Sequence, residues 1–177
     1  GAKIRVLTAR GADPNARSRG RTALLLAIMK GGEHAEATVQ TLIDVEANVN
    51  VVDSYGSTAL IYAARYGREH AAGMMRLLVD ARADANKQDE DGWTALMIAA
   101  QYGGEHAAGM MRLLLGAGAA ANKQKDGGLT ALMVAMFGGE HAAGMMRLLL
   151  DAGADANKQS KRGSTALMFA AQEGGEH

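Results

Sequence analysis

The sequence repeats itself at a nearly constant interval along its whole length. The tripeptide Thr-Ala-Leu occurs five times, at intervals of 36, 36, 36 and 35 residues. These tripeptides begin at Thr22, Thr58, Thr94, Thr130 and Thr165. The same register holds for a glycine before each tripeptide, for a Glu-His pair and for a single asparagine. In the central copies the register shifts once, because one residue is missing from 130–137. A period of this length is typical of arrays in which each unit packs on its neighbours, so the sequence predicts a solenoid.

Each unit predicts two short helices and a turn. In the third unit, residues 94–102 form an apolar stretch with Thr94 as its N-cap and Gly103 as its stop. Apolar residues on nearly every side of this helix indicate that it is buried between neighbouring units. A second helix is predicted over about 106–115, and a polar, glycine-containing hairpin turn over 122–128. Neither helix can bury its apolar face alone, so the stacking of units must supply the core.

The residues shared by the units form a consensus. In the third unit it reads Asp89-x-x-Gly92-x-Thr94-Ala-Leu96-x-x-Ala99-Ala100-x-x-Gly103, then Leu113-Leu114-Leu115-x-Ala117-Gly118-Ala119 and Asn122. This pattern resembles the ankyrin repeat over essentially the whole chain, which implies an all-α ankyrin-type repeat solenoid without a sheet. Thr-Ala-Leu-Met stands where the family has Thr-Pro-Leu-His, and the period exceeds the usual 33 residues by about three. We expect the extra residues, in Gly-Gly-Glu-His-Ala-Ala-Gly, to add nearly a turn to each second helix.

The register divides the chain into one array of units. We expect a half unit at 1–12, four full units at about 13–48, 49–84, 85–120 and 121–155, and a half unit at 156–177. Neither half unit resembles a polar capping repeat, which predicts early amide exchange at both ends and end-to-end self-association of copies. Because the first residue is glycine rather than methionine, we expect an excised or recombinant fragment.

Composition narrows the classes of function. The 19 basic and 19 acidic residues balance, so no overall charge draws the chain to nucleic acid or to a membrane surface. The lack of cysteine excludes disulfides, thiol catalysis and cysteine-based zinc sites. No apolar run is long enough to span a bilayer, and no signal segment is evident, so we expect an intracellular, cytoplasmic protein.

Histidines, methionines and glycines each form a pattern with two interpretations. The five Glu-His pairs could form a metal ladder, but units about 9–10 Å apart would bring too few ligands together, which favours a turn or capping role. The letters of 116–121 match a dinucleotide fingerprint that needs a preceding strand, which is absent from the predicted unit. The Met-Met pairs at 74–75, 110–111 and 145–146 could form an adaptable surface or fill the core, and their positions favour the core. With these groups copied along a rod, no convergent catalytic set is evident, so we predict neither an enzyme nor a cofactor.

Positions that vary between units are candidates for partner binding. The resemblance implies binding at the hairpin tips and the exposed ends of the first helices, which together form a concave strip. Five of the seven aromatic residues fall on this strip, and Tyr62 and Phe169 lie elsewhere. Tyr66, Tyr102 and Phe137 are predicted to align as a continuous row, or alternatively to fill gaps between stacked helices. The candidate site residues are Tyr55, Arg65, Tyr66, Trp93, Gln101, Tyr102, Leu129, Phe137, Lys161 and Arg162.

The charges along the tips predict the kind of partner. They are basic at 17–21, acidic at 89–91 and basic again at 161–162, which fits a protein segment ordered acidic, basic, acidic around an apolar centre near Trp93. The same order disfavours DNA. We therefore predict a protein-interaction scaffold. Two alternatives stay open: a regulatory or targeting arm of a longer protein, and a designed repeat protein, since the third and fourth units are nearly verbatim copies.

Overall fold

The computed structural model describes residues 1–173, and over these residues the chain is all-α. This part of the chain contains ten α-helices, short 3-10 turns, two isolated β-bridges and no strand. The helices are α1 Ala2–Ala9, α2 Ala23–Lys30, α3 Ala35–Asp44, α4 Ala59–Tyr66, α5 Ala71–Asp80, α6 Ala95–Tyr102, α7 Ala107–Gly116, α8 Ala131–Val134, α9 Ala142–Asp151 and α10 Ala166–Glu173. The fifth Glu-His pair, at 176–177, lies outside the described residues.

The helices stack in two rows. The first helices of the units, α2, α4, α6, α8 and α10, form an inner row, and α3, α5, α7 and α9 form an outer row behind it. Neighbouring inner helices pack on each other, and α2, α4, α6 and α8 each pack on the outer helix of their own unit. The six residues from Ala59 to Ala64 of α4 and from Ala95 to Ala100 of α6 are all buried. The predicted all-α repeat fold is confirmed.

Local sequence determines how these helices begin and what they bury. The Thr94 hydroxyl accepts a hydrogen bond from the Met97 amide at 3.3 Å, and Thr58 caps α4 through the Ile61 amide at 3.2 Å. The methionine pairs of α5 and α7 are fully buried, and of the third pair Met145 is buried. The core interpretation of the methionines is therefore confirmed.

The extra residues of the second, third and fourth units form a tight turn in front of the outer helix. Arg68–His70, Gly104–His106 and Gly139–His141 are single 3-10 turns that lead directly into α5, α7 and α9. The added turn is thus present, with 3-10 rather than α geometry. The Glu-His pairs do not cap the outer helices: His70 and His106 make no capping hydrogen bond and instead contact the preceding glutamate at 3.6 and 3.5 Å.

The missing residue of the fourth unit is absorbed by a change of helix type. The inner helix there is four residues of α-helix, Ala131–Val134, followed by a three-residue 3-10 turn, Ala135–Phe137. A 3-10 residue rises about 2.0 Å against about 1.5 Å in an α-helix, so these residues span roughly 12 Å, the length of the eight-residue α6. The tighter winding keeps Phe137 at the position that Tyr102 has one unit earlier.

Restoring the missing residue tests this interpretation. Inserting an alanine after Ala135 gives the segment the length and pattern of residues 94–102, and we expect unfolding free energy to change by less than about 1 kcal/mol. The same insertion after Ala99, in α6, would turn the end of that helix by about 100° and should cost more than about 2 kcal/mol. Urea denaturation followed by circular dichroism measures both, and equal losses would contradict the explanation.

The repeated asparagine connects each unit to the next. The Asn86 side chain donates to the Gly118 carbonyl at 2.8 Å and accepts from the Ala120 amide at 2.7 Å. Asn50 and Asn122 make the equivalent bonds one unit earlier and one unit later. These bonds satisfy backbone groups of the neighbouring turn, so the asparagine holds the spacing of the stack.

The hairpins form a second connection between units. Their tips are joined by backbone hydrogen bonds from Glu90 to Tyr55 at 3.0 Å, from Asp126 to Asp91 at 2.9 Å and from Lys161 to Gly127 at 2.8 Å. The tips therefore lie in register along one edge of the stack.

Apolar side chains are exposed in the first and last helices. Val6 and Leu7 of α1 and Leu167 and Met168 of α10 are all more than half exposed. End-to-end association through such side chains stays a prediction. None of the helices in residues 1–173 combines the length and apolar character needed to cross a bilayer.

Candidate protein-binding surface

The ten candidate residues lie along the hairpin tips and inner helices, and we call this set the inner strip. Seven of them are exposed: Tyr55, Arg65, Tyr66, Tyr102, Phe137, Lys161 and Arg162. Three are half-buried: Trp93, Gln101 and Leu129. The three rings of the predicted row are substantially exposed, Tyr66 to 41%, Tyr102 to 54% and Phe137 to 51%.

The aromatic residues do not form the continuous row that the sequence predicts. Tyr66 packs on Tyr62 of its own helix with ring centres 5.5 Å apart, and Phe137 packs on Phe169 of the next unit at 6.3 Å. Between them, the Arg65 guanidinium lies 5.3 Å from the centre of the Tyr102 ring. Because a side chain from the preceding unit reaches across, the Tyr102 ring contacts a cation rather than the next ring of the predicted row.

Trp93 is less available than the sequence suggests. Its ring and the Leu129 side chain both pack against the core, and the Lys125 ammonium lies 4.5 Å from the centre of the indole ring. Gln101 is also partly withdrawn, with its Oε1 atom buried and without a hydrogen-bond partner in residues 1–173. The exposed aromatic residues of the inner strip are therefore Tyr55, Tyr66, Tyr102 and Phe137, and Trp93 is not among them.

A partly buried hydrogen-bond network that sequence reasoning missed connects the hairpin at Gly20 with the hairpin at Gly56. The Arg21 Nε atom donates to the Tyr62 hydroxyl at 2.9 Å, and that hydroxyl donates to Asp53 Oδ2 at 2.8 Å. Asp53 Oδ1 accepts the amides of Tyr55 and Ser57, both at 2.9 Å. Burial and the bond to Asp53 raise the pKa of Tyr62, and the hydrogen bond to Tyr62 raises the pKa of Arg21. The available signal was a tyrosine where other units have Ile98 or Val134.

Asp89 holds the same place in the next hairpin without the same partners. Its Oδ1 accepts the amides of Trp93 at 2.8 Å and Asp91 at 3.2 Å. Ile98, which has no hydroxyl, stands at the repeat position of Tyr62. No donor in residues 1–173 bonds to Asp89 Oδ2. Burial raises the pKa of Asp89 above its usual value.

Two pockets lie along the inner strip. The first, which we call the acidic pocket, has a volume of about 350 Å³ and lies between the hairpins at 53–57 and 89–93. Its walls include Tyr55, Tyr66, Asp89, Glu90, Asp91 and Trp93. The second, the basic pocket, has a volume of about 510 Å³, and its walls include Lys125, Leu129, Lys161, Arg162 and Phe169. Within residues 1–173, no three His, Asp or Glu side chains come together as metal ligands would.

Two aspartates in equivalent positions should respond oppositely to loss of charge. Asp53→Asn weakens the bonds to Tyr62 and the hairpin amides, and we expect a loss of about 1–3 kcal/mol. Asp89→Asn should cause no loss at pH 7, because burial opposes ionisation of Asp89 in the folded state. As pH falls through the raised pKa, Asp89 of the wild type becomes protonated, and the stability of the wild type should approach that of Asp89→Asn. Urea denaturation at neutral and acidic pH checks both, and a larger loss for Asp89→Asn than for Asp53→Asn would contradict these opposite roles.

Comparisons of the sequence agree with this geometry. A family model described as "Ankyrin repeats (3 copies)" matches residues 2–75, 70–143 and 106–177. No curated protein matches the chain.

Proposed function

The chain belongs to the ankyrin repeat family, whose repeats are generally non-catalytic protein–protein interaction modules, and we propose that it binds a partner protein along the inner strip. One observation carries the proposal. Between residues 49 and 155, the exposed large apolar side chains are Tyr55, Tyr66, Tyr102, Phe137 and Leu150. Four of these five are aromatic residues of the inner strip. Exposed aromatic rings of this kind are typical anchors of a protein interface.

The charges around these rings favour an elongated partner segment with one basic and one acidic part. Asp89, Glu90 and Asp91 line the acidic pocket beside Tyr66, whereas Lys161 and Arg162 line the basic pocket, whose wall includes Phe169. An elongated segment whose basic part meets the acidic pocket and whose acidic part meets the basic pocket complements this order. Its apolar side chains would cover Tyr66, Tyr102 and Phe137, which have polar neighbours at their rims.

The proposal is tested by removing the rings without disturbing the stack. In the inner variant, Tyr66, Tyr102 and Phe137 are all replaced by alanine. The outer variant replaces three exposed, repeat-equivalent arginines of the same units, Arg76, Arg112 and Arg147. The wild type and both variants are immobilised, after their helicity is verified, and proteins captured from an extract of the source organism are compared. We expect the inner variant to lose the partners that the outer variant retains, and the reverse pattern would refute binding on the inner strip.

A further inference from the structure

We propose that the acidic pocket receives an arginine side chain of the partner, with its guanidinium bonded to Asp89 and stacked against the aromatic walls. This inference rests on the proposed function and specifies what the partner presents to the middle of the inner strip. The pocket combines a carboxylate oxygen without a donor in residues 1–173, further negative charge and rings of Tyr55, Tyr66 and Trp93. A guanidinium fits this combination because it is planar, carries five donors and stacks on aromatic faces.

The chain itself shows how a guanidinium is held in the equivalent place. Arg21, directly after the hairpin glycine of the first unit, reaches forward and bonds to Tyr62 in front of Asp53. The residue at the same repeat position in the second unit is Ser57. Its short side chain cannot reach forward to Asp89 as Arg21 reaches toward Asp53. Arg21 therefore places a guanidinium in front of Asp53. Ser57, at the same repeat position, places none in front of Asp89.

The charges within the pocket favour a cation from outside. The carboxylates of Asp53, Asp89, Glu90 and Asp91 line it, against the guanidinium groups of Arg21 and Arg65. Arg21 is engaged by Tyr62, and Arg65 lies over the Tyr102 ring and forms no ion pair in residues 1–173. Glu90 and Asp91 are exposed at the tip, where they can attract a cation before Asp89 receives it.

Trp93 gives a direct readout, because it is the single tryptophan of the chain and lines the pocket. The intact chain is titrated with a capped Gly-Gly-Arg-Gly-Gly peptide, with its citrulline counterpart and with its lysine counterpart. We expect a saturable change in Trp93 fluorescence with the arginine peptide and at least tenfold weaker binding of the other two. Equal binding of citrulline, tighter binding of lysine, or no saturable change would each overturn the proposal.

Three variants assign the effect to the pocket. Asp89→Asn should weaken binding of the arginine peptide at least tenfold, and Ser57→Arg should also weaken it by supplying a guanidinium from within the chain. Asp151→Asn, which removes an exposed carboxylate at the end of α9 in the outer row, should leave it unchanged. Unaltered binding to Asp89→Asn, or equal loss in Asp151→Asn, would refute the assignment.

The two proposals fail in different ways. If partners are captured through Tyr66, Tyr102 and Phe137 but Asp89→Asn captures them as well as the wild type, the arginine site is wrong and the binding strip stands. If the inner variant captures what the wild type captures, the binding strip itself is wrong.

Discussion

Gly128→Ala is expected to lower the unfolding free energy by about 3–4 kcal/mol. Gly128 has a φ of +79°, which is unfavourable for a residue with a side chain. A Cβ atom there would also lie 2.6 Å from the backbone nitrogen of Lys161, whose amide bonds to the Gly127 carbonyl. The substitution therefore adds backbone strain and separates two neighbouring hairpins.

Gly163→Ala is the matched control. Gly163 has a nearly identical φ of +80°, but apart from its own and its two chain neighbours' atoms, no atom of the described residues lies within 4 Å of its would-be Cβ. We expect this variant to lose only the backbone strain, about 1–2 kcal/mol. Urea denaturation of both variants gives the comparison. Equal losses would show that close approach of the hairpins contributes nothing measurable to stability.

Tyr102→Ala is expected to weaken partner binding by about 2 kcal/mol, or about 30-fold in Kd. The Tyr102 ring is 54% exposed and lies near the middle of the inner strip, where the Arg65 guanidinium stacks on it. A partner that covers both would bury the ring and keep the cation beside it. Because the ring is already exposed in the free chain, folding stability should fall by less than about 1 kcal/mol.

Leu150→Ala separates this effect from a general loss of apolar surface. Leu150 is 43% exposed and lies on α9, in the outer row. Calorimetric titration with the captured partner should give a wild-type Kd for this variant. If Tyr102→Ala instead unfolds the array while its folded fraction binds normally, the ring stabilises the fold and does not bind the partner.

The sequence predicts the fold well, because residues that recur at equivalent positions of the units make equivalent contacts in the stack. Thr94 caps its helix, Met110 and Met111 fill the core, and the first helix of the third unit is buried, all as its pattern indicates. Gly92 and Gly128 recur for two reasons: a positive φ and the close approach of the next hairpin. The second reason becomes visible only when the units are stacked.

The candidate surface is harder to predict because its contacts join unequal positions of neighbouring units. Arg65 reaches Tyr102, Lys125 covers Trp93, and Arg21 bonds to Tyr62, and in each pair the two residues occupy different places in the repeat. A periodic pattern places equivalent residues side by side, so it predicted a continuous row of rings and missed the cations that lie against Tyr102 and Trp93. It also identified Trp93 as an exposed anchor, because the reach of a lysine from the next hairpin cannot be read from spacing.

Hydroxyl-radical footprinting of the chain with and without its captured partner tests binding on the inner strip most directly. The radicals oxidise exposed aromatic and aliphatic side chains, and mass spectrometry quantifies each site. Bound partner should strongly reduce oxidation at Tyr66, Tyr102 and Phe137 and leave Leu150 on the outer row unchanged. Protection of Leu150 with undiminished oxidation of the three rings would contradict binding on the inner strip.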